Sequence, residues 1–139
     1  MRYPFGYRIF SSYIHVFEWF GQLKIIKVMS KFVSTQNKGF NMTFENGISI
    51  SVQWGVGNYC SRKNDGEFGE PMKGEFWEAT SAEIMIRDTN SNPQNIDLGN
   101  DDSVAGWLDA GQVADCINAC SQARNVSHLN QVLKRINLK

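Results

Sequence analysis

"GFNMTFENGISISVQW", residues 39 to 54, alternates apolar and polar side chains on both sides of a turn. Phe40, Met42 and Phe44 alternate with Asn41, Thr43 and Glu45, and Ile48, Ile50, Val52 and Trp54 alternate with Ser49, Ser51 and Gln53. A period of two over such lengths marks half-buried strands. The turn decides the register. Asn46-Gly47 is a common two-residue hairpin loop, but that loop would set Phe44 opposite Ser49, apolar against polar on each face. A three-residue loop, Glu45-Asn46-Gly47, instead pairs Phe44 with Ile48, Met42 with Ile50 and Phe40 with Val52. It also gives Gly47 the left-handed position that such loops require. The expectation is a three-residue loop, with Asn41, Thr43, Ser49, Ser51 and Gln53 on the face away from the core.

Working toward the C-terminus, "AEIMIRD", residues 82 to 88, reads as a further strand, with Ala82, Ile84 and Ile86 inward and Glu83, Met85 and Arg87 outward. "GEFWEAT" before it has the composition of a short strand. Between hairpin and strand lies "GVGNYCSRKNDGEFGEPMKG", a connection of the length usually reserved for functional or disordered loops. "TNSNPQNIDLGNDDSVAG" follows as a second polar connection. Asp109 and Gln112 then have the spacing of a capping box, flanked by Leu108 and Val113 as a hydrophobic staple. Val113, Cys116, Ile117, Cys120 and Ala123 form one stripe at helical spacing. After Asn125-Val126, Ser127 is placed to cap a second helix with Leu129, Val132, Leu133 and Ile136 buried. Lys134, Arg135 and Lys139 suit the negative end of that helix. The fold class is α+β: an antiparallel sheet (hairpin 39–54 plus a strand near 82–88) packed against two C-terminal helices.

Toward the N-terminus the pattern dissolves. "YPFGYRIFSSYIHVFEWFGQLKIIKV" is aromatic and apolar, but Glu18, Gln22, Lys24 and Lys27 interrupt every window long enough for a membrane span. It also lacks the cleavage signature of a signal peptide. Residues 1–33 read as an aromatic arm that either packs on a neighbour or lies upstream of a start at Met29, and residues 34–139 as a single α+β domain.

The 139-residue chain has no net charge, yet its charges are segregated. Arg2, Arg8, Lys24, Lys27, Lys31 and Lys38 stand against the single acid Glu18 before residue 40, whereas residues 40–139 carry eight basic and thirteen acidic residues. An acidic body disfavours tracking along a long nucleic acid, which depends on clustered positive charge. Three cysteines, an odd number and a sparse one, point to a reducing, intracellular setting.

Few residues spell catalysis. Cys116, Cys120 and His128 lack a fourth metal ligand, and thiols within an apolar stripe are small core residues; no metal or cofactor is expected. Cys60 lies beside Arg62 and Lys63, which would lower its pKa, but its place after a strand reads as core. "GVGNYC" lacks the glycine spacing and the Lys-Ser/Thr of a phosphate loop. Glu67, Glu70, Glu75 and Glu78 read as a solvated face. The chain is not read as an enzyme.

What accumulates is a binding surface. Trp54, Tyr59, Phe76 and Trp77 supply flat rings, Asn58 an amide, and Arg62 and Arg87 guanidinium forks. Rings stack on bases, amides read base edges and arginines pair with phosphates. Arg124 joins them, at the end of its helix, where a neighbouring subunit's loop can reach it. The expected partner is a compact anionic nucleotide-type ligand.

The run "FNMTFENGISISVQWGVGNYCSR", followed by "FWEATSAEIMIRD" and a capped C-terminal helix, resembles the first-described Thoeris anti-defence sponges of phages, over roughly residues 38 to 126. The resemblance implies an N-terminal antiparallel sheet with C-terminal helices, assembly into homo-oligomers, action in the host cytoplasm and no membrane. It also implies sequestration, without cleavage, of cyclic ADP-ribose signals, and in some members of cyclic oligonucleotides at a second site. Two other classes remain: a phage inhibitor that binds a host protein through its aromatic loop, and a small hydrolase working through Cys60 or the loop acids.

Overall fold

The computed structural model describes residues 15–19, 22–26, 30–35, 38–67, 77–99 and 101–138, with only the backbone of the first two stretches. Strands β1 (His15–Trp19) and β2 (Gln22–Ile26) form a separate two-stranded antiparallel sheet. β3 (Lys31–Ser34), β4 (Gly39–Thr43), β5 (Ile48–Gln53), β6 (Ala82–Asp88) and β7 (Gln94–Asn95) follow in that spatial order in a six-stranded sheet. β8 (Val104–Leu108) completes it by pairing with the start of β6, while β7 pairs with its end. All pairings are antiparallel. Helices α1 (Ala110–Gln122) and α2 (Val126–Leu133) close the chain. The architecture is α+β, an open antiparallel sheet with two C-terminal helices.

Side-chain parity sets the hairpin. Phe40 faces Val52 and Met42 faces Ile50, and the Phe44 amide donates to the Ile48 carbonyl. Gly47 adopts φ +82°, the left-handed conformation of a three-residue loop. β6 then adds Ile84 opposite Val52 and Ile86 opposite Ile50. Ile48, Ile50, Val52, Ile84 and Ile86 are all buried, and α1 covers them with Val113, Cys116, Ala119 and Cys120.

Both helices begin at side-chain caps. The Asp109 carboxylate accepts from the Gln112 amide while the Gln112 side chain accepts from the Asp109 amide, the capping box expected from the spacing. The second cap falls elsewhere than expected. Asn125, not Ser127, caps α2: its side-chain oxygen accepts from the His128 amide at 2.8 Å, two residues earlier than the apolar stripe had placed it. α2 accordingly ends at Leu133, with Lys134 as its C-cap and Arg135 beyond it. Lys139 lies outside the described residues.

The polar connection after Asp88 contains more order than its composition conveys. Ile96 is buried and its amide donates to the Ile86 carbonyl; β8 lies against β6 through a register shift. β8 lacks clean alternation because Trp107 takes φ +59° and points to solvent, and because a side chain at Gly106 would run into Tyr59. The tail of "GEFWEAT" is not a strand: Trp77–Thr80 is irregular, and its first three residues lie outside the described residues. No helix among the described residues is long and apolar enough to cross a membrane.

Candidate functional site

β5 ends where its inward parity reaches Trp54, and Gly55 and Gly57 (φ +85°) then turn the chain over the end of the sheet. The turn is held from inside by Cys60, fully buried, with its thiol 3.4 Å from the Gly55 carbonyl. Burial pushes that thiol up from its ordinary value, against the lowering effect of the Arg62 backbone hydrogen bond, so Cys60 is a protonated anchor at neutral pH. From outside, Glu83 on β6 accepts from the Asn58 side-chain amide at 2.9 Å and from the Tyr59 backbone at 2.7 Å. The Asn58 side-chain oxygen Oδ1 accepts from the Gly55 amide. Asn58 is thus spent on building the loop.

The loop is also stitched to the segment before β6. The Ser61 amide donates to the Ser81 hydroxyl, and the Thr80 amide donates to the Ser61 hydroxyl, both at 2.9 Å. Trp77 thereby meets Trp54. The Trp54 indole N–H donates to the Trp77 carbonyl at 3.0 Å, and the Trp77 indole N–H donates to the Trp54 carbonyl at 3.2 Å. Phe40 packs edge-on against Trp54, centroids 6.1 Å apart. Arg62 lies over the Trp77 ring at 4.7 Å, donates through Nε to the Glu78 carbonyl at 2.6 Å and through Nη1 to Asp65 at 2.9 Å. Its Nη2 has no partner among the described residues.

These groups rim a cleft of about 830 Å³. Its floor is Phe40, Val52, Ala82 and Leu108; one wall is the flank of α1, formed by Ala110, Val113, Ala114 and Ile117; the other is Trp54, Arg62 and Trp77. That volume falls within the range of pockets that enclose small molecules, and the mostly apolar lining with a few polar groups is typical of them. Among the described residues the lining carries one cation, Arg62, with Asp65 and Glu78 as its acidic residues.

The cleft brings together Trp54, Arg62 and Trp77 of the residues singled out from the sequence. Tyr59 stands beside it, half exposed, with the Lys63 ammonium 4.2 Å from its ring centre. Arg87 projects from the opposite face of β6, opposite Ser49. Arg124 follows the last turn of α1, about 10 Å along the helix axis beyond Ile117, the last α1 residue of the lining. Phe76 lies outside the described residues. Sequence reasoning missed Asp65, Glu78, Ser61 and the α1 wall. Asp65 carried a signal in its i,i+3 spacing from Arg62; the wall carried none, because a helix flank faces a cleft only once the helix is docked.

The other thiols are core groups. Cys116 and Cys120 have no exposed surface, and burial pushes their pKa values up to about 11 and about 12. The His128 ring nitrogen Nδ1 accepts from the Arg124 amide, not from a ligand. Among the described residues no group of three or more His, Cys, Asp or Glu is placed to hold a metal ion.

Comparison with family models, with curated protein sequences and with solved structures gives no match for this chain.

Proposed function

We propose that this protein binds and sequesters a compact, planar nucleotide-type ligand in the Trp54–Arg62–Trp77 cleft and does not cleave it. The observation that carries this is the pairing of the two tryptophans beneath a guanidinium. Each indole N–H is already bonded to the other residue's backbone, so neither demands a partner from the ligand. A base or other flat ring entering the apolar cleft gains stacking and area burial. Arg62 adds one directed donor, Nη2, for a phosphate oxygen. Among the described residues of the lining, one cation accompanies two acidic residues, which favours a ligand of low charge, such as a cyclic nucleotide, over a linear polyphosphate.

This agrees with what the resemblance to the Thoeris sponges implies, namely capture of a cyclic ADP-ribose isomer or a cyclic oligonucleotide in the host cytoplasm by a homo-oligomer. The test is to incubate the purified protein with a panel of cyclic nucleotides, remove free ligand, denature the complex and identify what is released. Return of the intact ligand is expected. Release of a hydrolysed product, or no retention of any member of the panel, overturns the proposal.

A second reading, an inhibitor of a host protein, is favoured by one observation. Tyr59 and Trp107 are 47% and 58% exposed and are joined by the Trp107 amide donating to the Tyr59 carbonyl. Exposed aromatic anchors of this kind dominate protein interfaces. Tyr59→Ala with Trp107→Ala would abolish partner capture under that reading and leave cyclic-nucleotide retention unchanged under the first.

A further inference from the structure

We propose that Asn46 is a deamidation site and that its side-chain amide is the clasp holding α1 to the hairpin, so that conversion to a carboxylate unfastens one wall of the cleft. The Asn46 side chain reaches from the hairpin loop to the end of the helix. Nδ2 donates to the Cys120 carbonyl at 2.8 Å and to the Ala123 carbonyl at 2.9 Å, while Oδ1 accepts from the Ile48 amide at 2.9 Å. A helix end leaves its last carbonyls short of intrahelical partners. The Cys120 carbonyl takes the Ala123 amide at 3.4 Å, and a residue some 75 positions earlier in the chain donates both to it and to the Ala123 carbonyl. α1 has no basic residue in its last turn to serve instead.

The same residue precedes Gly47. Because glycine has no Cβ, its amide nitrogen is the least hindered nucleophile toward a preceding asparagine side chain. In the reaction the Gly47 nitrogen bonds to Asn46 Cγ, the Cγ–Nδ2 bond breaks, and Nδ2 leaves as ammonia with the proton that the Gly47 amide gives up. Water then opens the five-membered imide, yielding aspartate or isoaspartate; no reagent beyond water is needed.

Folding obstructs this sequence. The Gly47 amide is engaged with the Phe44 carbonyl at 2.9 Å, and three hydrogen bonds fix the side chain it would attack. Thr89 holds the Gly47 carbonyl through both its amide and its hydroxyl, and Asn90 donates to the Asn46 carbonyl. Reaction therefore proceeds through local opening of the hairpin from the helix. Once formed, the carboxylate offers no donor to Cys120 or Ala123 and faces the negative end of the α1 dipole. Reclosing is blocked, and the flank of α1 that carries Ala114 and Ile117 loses its tether.

The test compares the native protein with urea-unfolded protein in one mildly alkaline buffer, following amide-to-acid conversion at Asn46 by peptide mass spectrometry. Conversion is expected to be at least about tenfold slower in the native state, in line with exchange limited by local opening. Thr89→Val, which removes one tie without touching Asn46, should speed native conversion. Asn46→Asp keeps the acceptor for the Ile48 amide but loses both donations to the end of α1 and adds repulsion there, so it should melt below the unaltered chain. Equal conversion rates in the native and unfolded protein, or an Asn46→Asp variant at least as stable as the unaltered chain, would overturn the proposal. If the aspartate variant does not fold, the rate comparison on the unaltered chain decides.

Discussion

Trp54 and Trp77 satisfy one another: two indole N–H groups and two backbone carbonyls, 23 residues apart, close a reciprocal pair at 3.0 and 3.2 Å. Two part-buried donors are thereby removed from competition, and the ring bodies are left to form apolar surface. Arg62 rests on one of those rings, and the pair holds the mouth of the cleft without help from a ligand.

Trp77→Ala removes both a stacking face and the shelf beneath Arg62. Cyclic-nucleotide affinity, read by calorimetric titration, should fall by the value of one stacked base, about 1 to 3 kcal/mol. Trp77→Phe keeps a smaller aromatic face and loses the N–H that bonds the Trp54 carbonyl, so affinity should fall less than in the alanine variant while the lost hydrogen bond costs about 1 kcal/mol of stability. Unchanged affinity in the alanine variant would move the ligand out of this cleft.

Asp65 competes with any anion for Arg62. Their pairing is half exposed and worth little to the fold, so Asp65→Asn should leave the melting temperature nearly unchanged. Affinity for an anionic nucleotide should rise, while affinity for an uncharged planar analogue should not. Arg62→Ala should weaken the anionic ligand by about 1.5 to 3 kcal/mol.

Gly47→Val should destabilise the protein by roughly 1 kcal/mol or more, because a β-branched residue fits poorly at φ +82° and its side chain would also strike Asn90. Thermal denaturation reads the result; a melting temperature equal to that of the unaltered chain would place the strain elsewhere.

Cys116 and Cys120 ionise more readily unfolded than folded. Their folded values are raised from 9.0 to about 11 and about 12 by burial. The stability that this difference represents is fully present below pH 9 and is lost as pH rises through about 11 and 12. Alkaline titration followed by circular dichroism should therefore show unfolding that begins above pH 9, and Cys120→Ala should blunt it. Cys116→Ala and Cys120→Ala should each cost modest stability, and elemental analysis should find no zinc before or after.

Arg87 and Arg124 stand away from the cleft, one on the opposite sheet face and the other at the far end of α1. Arg124→Ala should leave binding by a single subunit intact. If it weakens binding only under conditions where the protein self-associates, Arg124 reaches a neighbouring subunit's ligand. Binding that survives in a chain starting at Met29 would clear the aromatic arm of a role.

The hairpin register, the third long strand and the α1 cap were legible in the sequence because each rests on local rules. Alternation, loop parity and a capping box need only neighbours a few positions away, and Phe40, Gly47, Ile84 and Asp109 follow them. Two aromatics and one arginine of the cleft were also visible as residue types. What brought them together was not local. Trp54 meets Trp77 only after β6 returns beside β5, and Ala114 faces the cleft only after α1 lies across the sheet. β8 was hidden because a contact with Tyr59 demands Gly106 and a left-handed Trp107, which erase strand alternation. Asn46 shows the division most clearly. Its sequence context made a turn, and only the packed helix made that turn a cap. Long-range pairing of donors with acceptors belongs to the assembled fold, since no periodicity along the chain encodes which distant carbonyl a side chain will find.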